Sequence, residues 1–359
     1  MFMAFNKLAF VLVLAILSSG EEDLELGTFY YNSNEIDSNG YLQVKGSKKG
    51  SDADTADTPL FIRDFKAFVN GTKYTDDSFQ IFPDADFNTL VAAKDVSQIG
   101  CYIVKEYYDS SYYTLLGFAA KFYENDNISP SFTWLLANAP TKRVYKDKPE
   151  EADSTWEDLD LEYSCTFYDH HYDFATPAIH KYGIVNNVCF PNDEVPTSLT
   201  TCAGTSTAPK ALLKGYKFAT FSGDRDNLKN ILIRFGPVLV DGDVVIGWEK
   251  DGENQRVIYA AKESQFGNYS FFKSEFEGTT YQGYFFFNPD APKPIDCATE
   301  LTVSTTADEC PCFDKKTDKE SYDADIRKGG ICKGASGSVR ATLAVVAAVL
   351  FTPILALFW

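Results

Sequence analysis

The chain has 359 residues, of which 45% are hydrophobic and 15% aromatic, and its formal net charge is −18 at pH 7. This hydrophobic content is typical of a globular protein and excludes a wholly disordered chain. The negative charge argues against nucleic-acid binding and against electrostatic docking on anionic lipid, because like charges repel. The body of the chain is long enough for two domains.

Residues 1–20 have the pattern of a secretory signal peptide. Lys7 precedes an apolar run over residues 8–17, and small residues follow at 18–20. The apolar run is too short to span a bilayer. A signal anchor that stays in place is the alternative interpretation. In both cases the sequence predicts that the protein enters the secretory pathway.

Residues 21–130 are predicted to form an all-β domain. Short runs at 28–31, 41–44, 60–68 and 79–82 are rich in aromatic and β-branched residues and are separated by polar turns. Residues 102–123, interrupted by Asp109-Ser-Ser111, are interpreted as a hairpin with a polar turn.

Residues 131–290 mix helices with strands, so the predicted fold class of the whole body is α+β. A short helix begins at Thr176-Pro177 and ends at Gly183. A second helix begins at 224–226, has apolar residues at i, i+3, i+4 and i+7, and ends at Gly236-Pro237. Antiparallel strands are predicted at 238–240, 244–246, 256–261 and 284–287.

Eight cysteines in an oxidising compartment predict disulfides, although spacing alone does not fix the pairing. The last four lie within residues 291–335, which are predicted to form a cysteine-rich polar stalk with its own disulfides. The disulfide candidates are Cys165, Cys189, Cys202, Cys297, Cys310, Cys312 and Cys332.

Three sequons mark possible glycosylation sites at Asn70, Asn127 and Asn268. Pro130 directly follows the second of them and makes Asn127 the weakest candidate.

Residues 336–359 are predicted to be the signal for attachment of a glycosylphosphatidylinositol (GPI) lipid. Small residues at Gly334, Ala335 and Ser336 precede a short polar spacer and an apolar tail over 341–359. A retained C-terminal span is the alternative. The expected location is the extracellular face of the plasma membrane, with the membrane contacted through the lipid anchor.

Several segments between residues 159 and 288, taken in order, resemble the latter part of papain-like cysteine peptidases. Residues 176–185 resemble a family helix, and 228–240 resemble the helix that leads into a Gly-Pro-Val strand. The remaining segments are Cys189-Phe-Pro-Asn192 followed by Cys202, Val244–Trp248, Lys262–Gly267 and Gln282–Phe285.

The resemblance implies a catalytic cysteine, histidine and asparagine, and this chain departs from that set. Asp241 stands at the expected histidine position and Glu263 at the asparagine position. The family's paired glycines, which leave room for a peptide, are replaced by bulky residues near Tyr172. A weaker alignment gives Gln98 as oxyanion donor and Cys101 as nucleophile.

The sequence therefore predicts a degenerate papain-like domain that binds a protein or peptide, or forms a structural coat, without catalysis. One alternative is an active cysteine peptidase using Cys101. The other is a surface coat antigen unrelated to peptidases. We expect no cofactor and no metal. The acidic and histidine residues at 169–173, together with His180, are interpreted as parts of a solvated loop, because neighbouring histidines diverge.

Overall fold

The computed structural model describes residues 27–31, 33–44, 59–68, 72–93, 100–146, 148, 156–166, 173–262, 269–291, 301–307, 310, 312–313, 315–316 and 319–333. Both predicted targeting segments, residues 1–20 and 336–359, lie outside this part of the chain. The same holds for Asn70, Gln98, Tyr172, Glu263, Asn268, Cys297 and Gly334 to Ser336.

The first compact unit extends to Ala291 and contains two sheets. The larger has nine strands in the order β12-β11-β10-β9-β13-β8-β1-β4, with β5 paired to β10, and all its pairs are antiparallel. The smaller has the order β2-β3-β6-β7, and its β3–β6 pair is parallel.

The strands are β1 (Thr28–Tyr31), β2 (Glu35–Ile36), β3 (Tyr41–Val44), β4 (Leu60–Phe61), β5 (Phe79–Gln80), β6 (Lys142–Tyr145), β7 (Leu159–Asp160), β8 (Lys217–Gly223), β9 (Val238–Val240), β10 (Asp243–Asp251), β11 (Asn254–Lys262), β12 (Tyr269–Glu275) and β13 (Tyr281–Phe287). The helices are α1 (Asp84–Phe87), α2 (Tyr102–Asp109), α3 (Tyr112–Glu124), α4 (Phe132–Ala137), α5 (Ala175–Tyr182), α6 (Arg225–Phe235) and α7 (Lys319–Ala324), with short 3₁₀ turns at Ile62–Asp64 and Val91–Ala93.

Helices cover both faces of the larger sheet. On one face α3 packs in a core that includes Leu239, Val244 and Phe286. On the other face α6 packs in a second core with Phe29, Trp248 and Phe285. The nine residues 112–120 of α3 are all buried, so this helix is apolar on every side and lies inside the unit.

Caps define the two helices that the sequence predicted, and both predictions are confirmed. The Asp224 side chain accepts a hydrogen bond from the backbone N–H of Asn227 at 2.9 Å, and the Asn227 side chain accepts one from the Asp224 N–H at 3.2 Å. This reciprocal pair satisfies two free donors at the start of α6. Gly236 ends α6 and Gly183 ends α5, at φ values of 77° and 73° that favour glycine.

The predicted α+β class is confirmed, but the predicted hairpin over residues 102–123 is wrong. That segment forms α2 and α3 instead. Its tyrosines and β-branched residues have strand propensity, yet burial on every side favours a helix in this core. In addition, β1 pairs with β8, so a strand from the predicted N-terminal domain belongs to the same sheet as strands of residues 131–290.

The second compact unit contains the described residues from 301 to 333. Cys312 and Cys332 form a disulfide that encloses α7. The buried Arg327 guanidinium pairs with buried Asp325 at 2.9 Å and also donates to the carbonyls of Thr305 and Cys310. The predicted disulfide-stabilised module is therefore present here. Among all the residues described, no helix has the length and apolar character needed to cross a membrane.

Candidate functional site

Cys101, the candidate nucleophile, is a half-cystine in the folded chain. It lies at the N-terminus of α2, its side chain is fully buried, and its sulfur is bonded to Cys165. A sulfur in a disulfide supplies no thiolate, which is the species that attacks a carbonyl. The prediction of Cys101 as nucleophile is therefore wrong, and Cys101 joins the structural cysteines that the sequence analysis had left it out of.

The predicted disulfide cysteines within the described residues are confirmed. Cys189 pairs with Cys202 across 13 residues of sequence. Cys310 is also disulfide-bonded, and none of the described cysteines is a free thiol.

Asp241, at the expected histidine position, lies in the tight turn between β9 and β10. Val240 pairs with Asp243, so only Asp241 and Gly242 connect the strands. Both have positive φ values, 51° and 90°, as a two-residue hairpin requires. The predicted shortening of this loop is confirmed. Burial, followed by the negative charge of Asp241, raises the pKa of Asp243.

Ser111 is the side chain that contacts this turn. It precedes α3 with a φ of 64°, and its hydroxyl donates a hydrogen bond to the Gly242 carbonyl. The Tyr269 hydroxyl lies 3.1 Å from both the Ser111 Oγ and the Tyr108 carbonyl. Ser111 is only 3% exposed, and burial raises the pKa of Tyr269. We call Ser111, Gly242, Tyr269 and Tyr108 the serine network.

An ion pair lies beside the serine network. The Lys262 ammonium contacts the Asp109 carboxylate and stands 4.5 Å over the centre of the Tyr108 ring. These contacts fix the end of α2 against β11. The partners of the Ser111 hydroxyl are thus a carbonyl and a phenol. Neither accepts a proton near neutral pH as an imidazole does, so this arrangement does not activate a hydroxyl nucleophile.

The structure does not bring the predicted site residues together. Cys101 precedes α2 and Ser111 follows it, so about 12 Å of helix separates Cys101 from the turn that holds Asp241. Glu263 and Gln98 lie outside the described residues.

The predicted loop of acidic and histidine residues contributes separate structural contacts. Asp173 accepts hydrogen bonds from the backbone N–H groups of Ala175 and Thr176, at 2.9 and 3.3 Å, and so caps α5. His180 Nε2 lies 3.8 Å from a Glu35 carboxylate oxygen. His170 and His171 lie outside the described residues.

Asn127 is held by two backbone hydrogen bonds. Its side-chain oxygen accepts from the Val91 N–H at 3.0 Å, and its side-chain nitrogen donates to the Thr89 carbonyl at 2.7 Å. That nitrogen is the atom to which a glycan would be joined. In the folded chain Asn127 is therefore a structural residue that fixes the turn at 89–91.

Sequence reasoning missed Ser111. The available signal was a serine directly before a long apolar run, which is typical of a helix start. Interpreting Asp109-Ser-Ser111 as a hairpin turn concealed that signal.

No protein-family model and no curated protein matches the sequence. In structure, the chain is similar to digestive procathepsin L 3 from the larval midgut of Tenebrio molitor, with a TM-score of 0.33 and 16% identity over 62% of this chain and 75% of that one. It is also similar to proCathepsin B S9 from Trypanosoma congolense, with a TM-score of 0.33 and 13% identity over 59% of this chain and 78% of that one. Both similarities are weak.

Proposed function

We propose that this protein is a GPI-anchored papain-like pseudopeptidase of the cell surface, which acts by binding a protein or peptide or as a coat component. The observation that carries the proposal is the Cys101–Cys165 disulfide, because it removes the one thiol that an alignment offered as nucleophile.

The arrangement of the segments that resemble the family supports the proposal. Gly-Pro-Val at 236–238 leads from α6 into β9, while Val244–Trp248 lies in β10 and Gln282–Phe285 in β13. Strand β9 is hydrogen-bonded to both β10 and β13. The turn at the end of β9 and β10 carries Asp241 in place of a histidine and is closed by Ser111. Such a scaffold retains a surface for binding without an acid–base pair for hydrolysis.

A thiolate-directed covalent probe tests the absence of catalysis. The purified full chain is incubated with a biotinylated epoxide that alkylates cysteine nucleophiles, without reductant. We expect no labelling. The control is Cys165→Ser, which frees the Cys101 thiol, and slow labelling of that variant would show that the probe can reach it. Labelling of the wild-type chain that disappears in Cys101→Ser would contradict the proposal.

The anchor is tested separately on intact cells. The small residues before the apolar tail and the absence of charged residues within 341–359 support lipid attachment. Phosphatidylinositol-specific phospholipase C is expected to release the protein into the medium. Protein that stays with the cells after release of a known GPI-anchored marker would favour a retained span.

A further inference from the structure

One face of the larger sheet carries an exposed row of aromatic and neutral polar side chains. Tyr30 on β1 lies directly opposite Thr220 on β8, and Thr220 lies directly opposite Tyr284 on β13. Directly opposite residues project from the same face of a sheet. Two strand spacings place Tyr30 and Tyr284 about 10 Å apart, with Thr220 between them.

Three further side chains extend this row. Ser222 lies opposite Gln282, two residues from Thr220 and Tyr284 and therefore on the same face. Phe61 lies opposite Thr28, two residues before Tyr30. We call the set the aromatic strip: Tyr30, Phe61, Thr220, Ser222, Gln282 and Tyr284.

The strip is exposed but rests on a rigid base. Tyr30 and Phe61 are each 43% exposed and Tyr284 is 46% exposed. The alternate residues Phe29, Phe221 and Phe285 point into the core beneath α6. The Tyr284 ring also stacks on Phe218, with the ring centres 5.4 Å apart and the planes 2° from parallel. The orientation of Tyr284 is therefore fixed before any ligand arrives, which lowers the entropic cost of binding.

The chemistry of the strip selects a neutral partner. Its six side chains are two phenols, one phenyl ring, two hydroxyls and one amide, and none carries a charge at pH 7. The chain around it has a net charge of −18, which repels acidic polysaccharides and nucleic-acid phosphates. A neutral sugar ring offers an apolar C–H face for stacking on an aromatic ring and hydroxyls at its edge for hydrogen bonds.

We propose that the aromatic strip binds an extended, neutral, β-linked glycan, with two sugar rings stacked on Tyr30 and Tyr284 and an intervening unit hydrogen-bonded at Thr220. The spacing of about 10 Å between the two tyrosines suits alternate rings of a flat chain. This binding surface lies outside the serine network and does not depend on the absence of catalysis.

Titration calorimetry on the full chain tests the proposal with chitohexaose and cellohexaose as β-linked probes and maltohexaose as the α-linked, curved control. We expect at least one β-linked probe to bind and maltohexaose to bind far more weakly. Tyr30→Ala and Tyr284→Ala should each weaken binding about tenfold, since each removes one aromatic stack. Tyr284→Phe should keep the affinity, because it keeps the ring.

The matched control is Tyr102→Ala, because Tyr102 is 57% exposed but lies on α2, away from the strip. Its affinity should equal that of the wild type, and thermal melts should verify that all variants fold. Failure of both β-linked probes, or equal affinity in the Tyr30/Tyr284 double alanine variant, would overturn the proposal. A sugar-free dimer that dissociates on Tyr284→Ala would also overturn it, by making the strip an interface between two copies.

Discussion

Replacing Ser111 with alanine distinguishes a structural hydroxyl from a catalytic one. The change removes the hydrogen bond from Ser111 Oγ to the Gly242 carbonyl and the contact with the Tyr269 hydroxyl, which lies 3.1 Å away. Tyr269 keeps the Tyr108 carbonyl, also at 3.1 Å, and Gly242 in its exposed turn can be hydrated. The expected loss is therefore that of one partly buried hydrogen bond, about 1–2 kcal/mol in the free energy of unfolding.

The assay is urea unfolding of the full chain without reductant, followed by tryptophan fluorescence. A loss of about 1–2 kcal/mol corresponds to a fall in Tm of about 2–8 °C for a domain of this size. Ser111→Gly loses the same hydrogen bonds but relieves the strain of a positive φ, so it should be up to about 1 kcal/mol more stable than Ser111→Ala.

A double-mutant cycle with Tyr269→Phe identifies the cause. Because the two hydroxyls are in contact, the double variant should lose less stability than the sum of the single losses. Active-site residues often reduce stability, so their replacement by alanine tends to stabilise a protein. If Ser111→Ala is as stable as the wild type or more stable, Ser111 is not the structural group described above.

Three other perturbations test the packing. Replacing both Cys101 and Cys165 with alanine should cost about 4 kcal/mol by the entropy of a 64-residue loop, measured by urea unfolding; an unchanged midpoint would contradict a disulfide there. Gly117→Val should lose about 1–3 kcal/mol, because a Cβ at Gly117 would lie 2.3 Å from the Ala92 Cβ, and adding Ala92→Gly should restore part of the loss in thermal melts. Arg327→Met leaves the buried Asp325 carboxylate unpaired and should cost about 3–5 kcal/mol, seen as faster hydrogen exchange over 319–333. Since the hydrogen bond from Arg327 lowers the pKa of Asp325, the wild-type pair should stabilise fully above about pH 4 and be lost as the pH falls through the lowered pKa; exchange that is independent of pH below 4 would contradict this.

Local signals predicted much of the fold. Strands β1, β3 and β9 coincide with short runs of aromatic and β-branched residues, and α6 follows its 3.6-residue period between Asp224 and Gly236. These elements are amphipathic or end at strong stop signals, so neighbouring residues are sufficient to define them.

The rest depends on contacts between distant residues. α3 is buried on all sides, so its sequence has no polar face to reveal a helical period, and its tyrosines favour a strand by propensity. The hydrogen bond from Ser111 to Gly242 joins positions 131 residues apart. No local pattern encodes that contact, nor the pairing of Cys101 with Cys165. The replaced histidine position and the shortened turn at Asp241 were predictable, because they depend on residue identity and spacing alone.

Mapping the disulfides of the full chain tests the central claim most directly. The secreted protein is alkylated with iodoacetamide, digested without reductant and analysed by mass spectrometry. We predict a peptide carrying Cys101 linked to one carrying Cys165, with no alkylated form of either, as the structure has them. An alkylated Cys101, with Cys165 paired elsewhere or also alkylated, would restore a free thiol at the head of α2 and contradict a protein without a nucleophile.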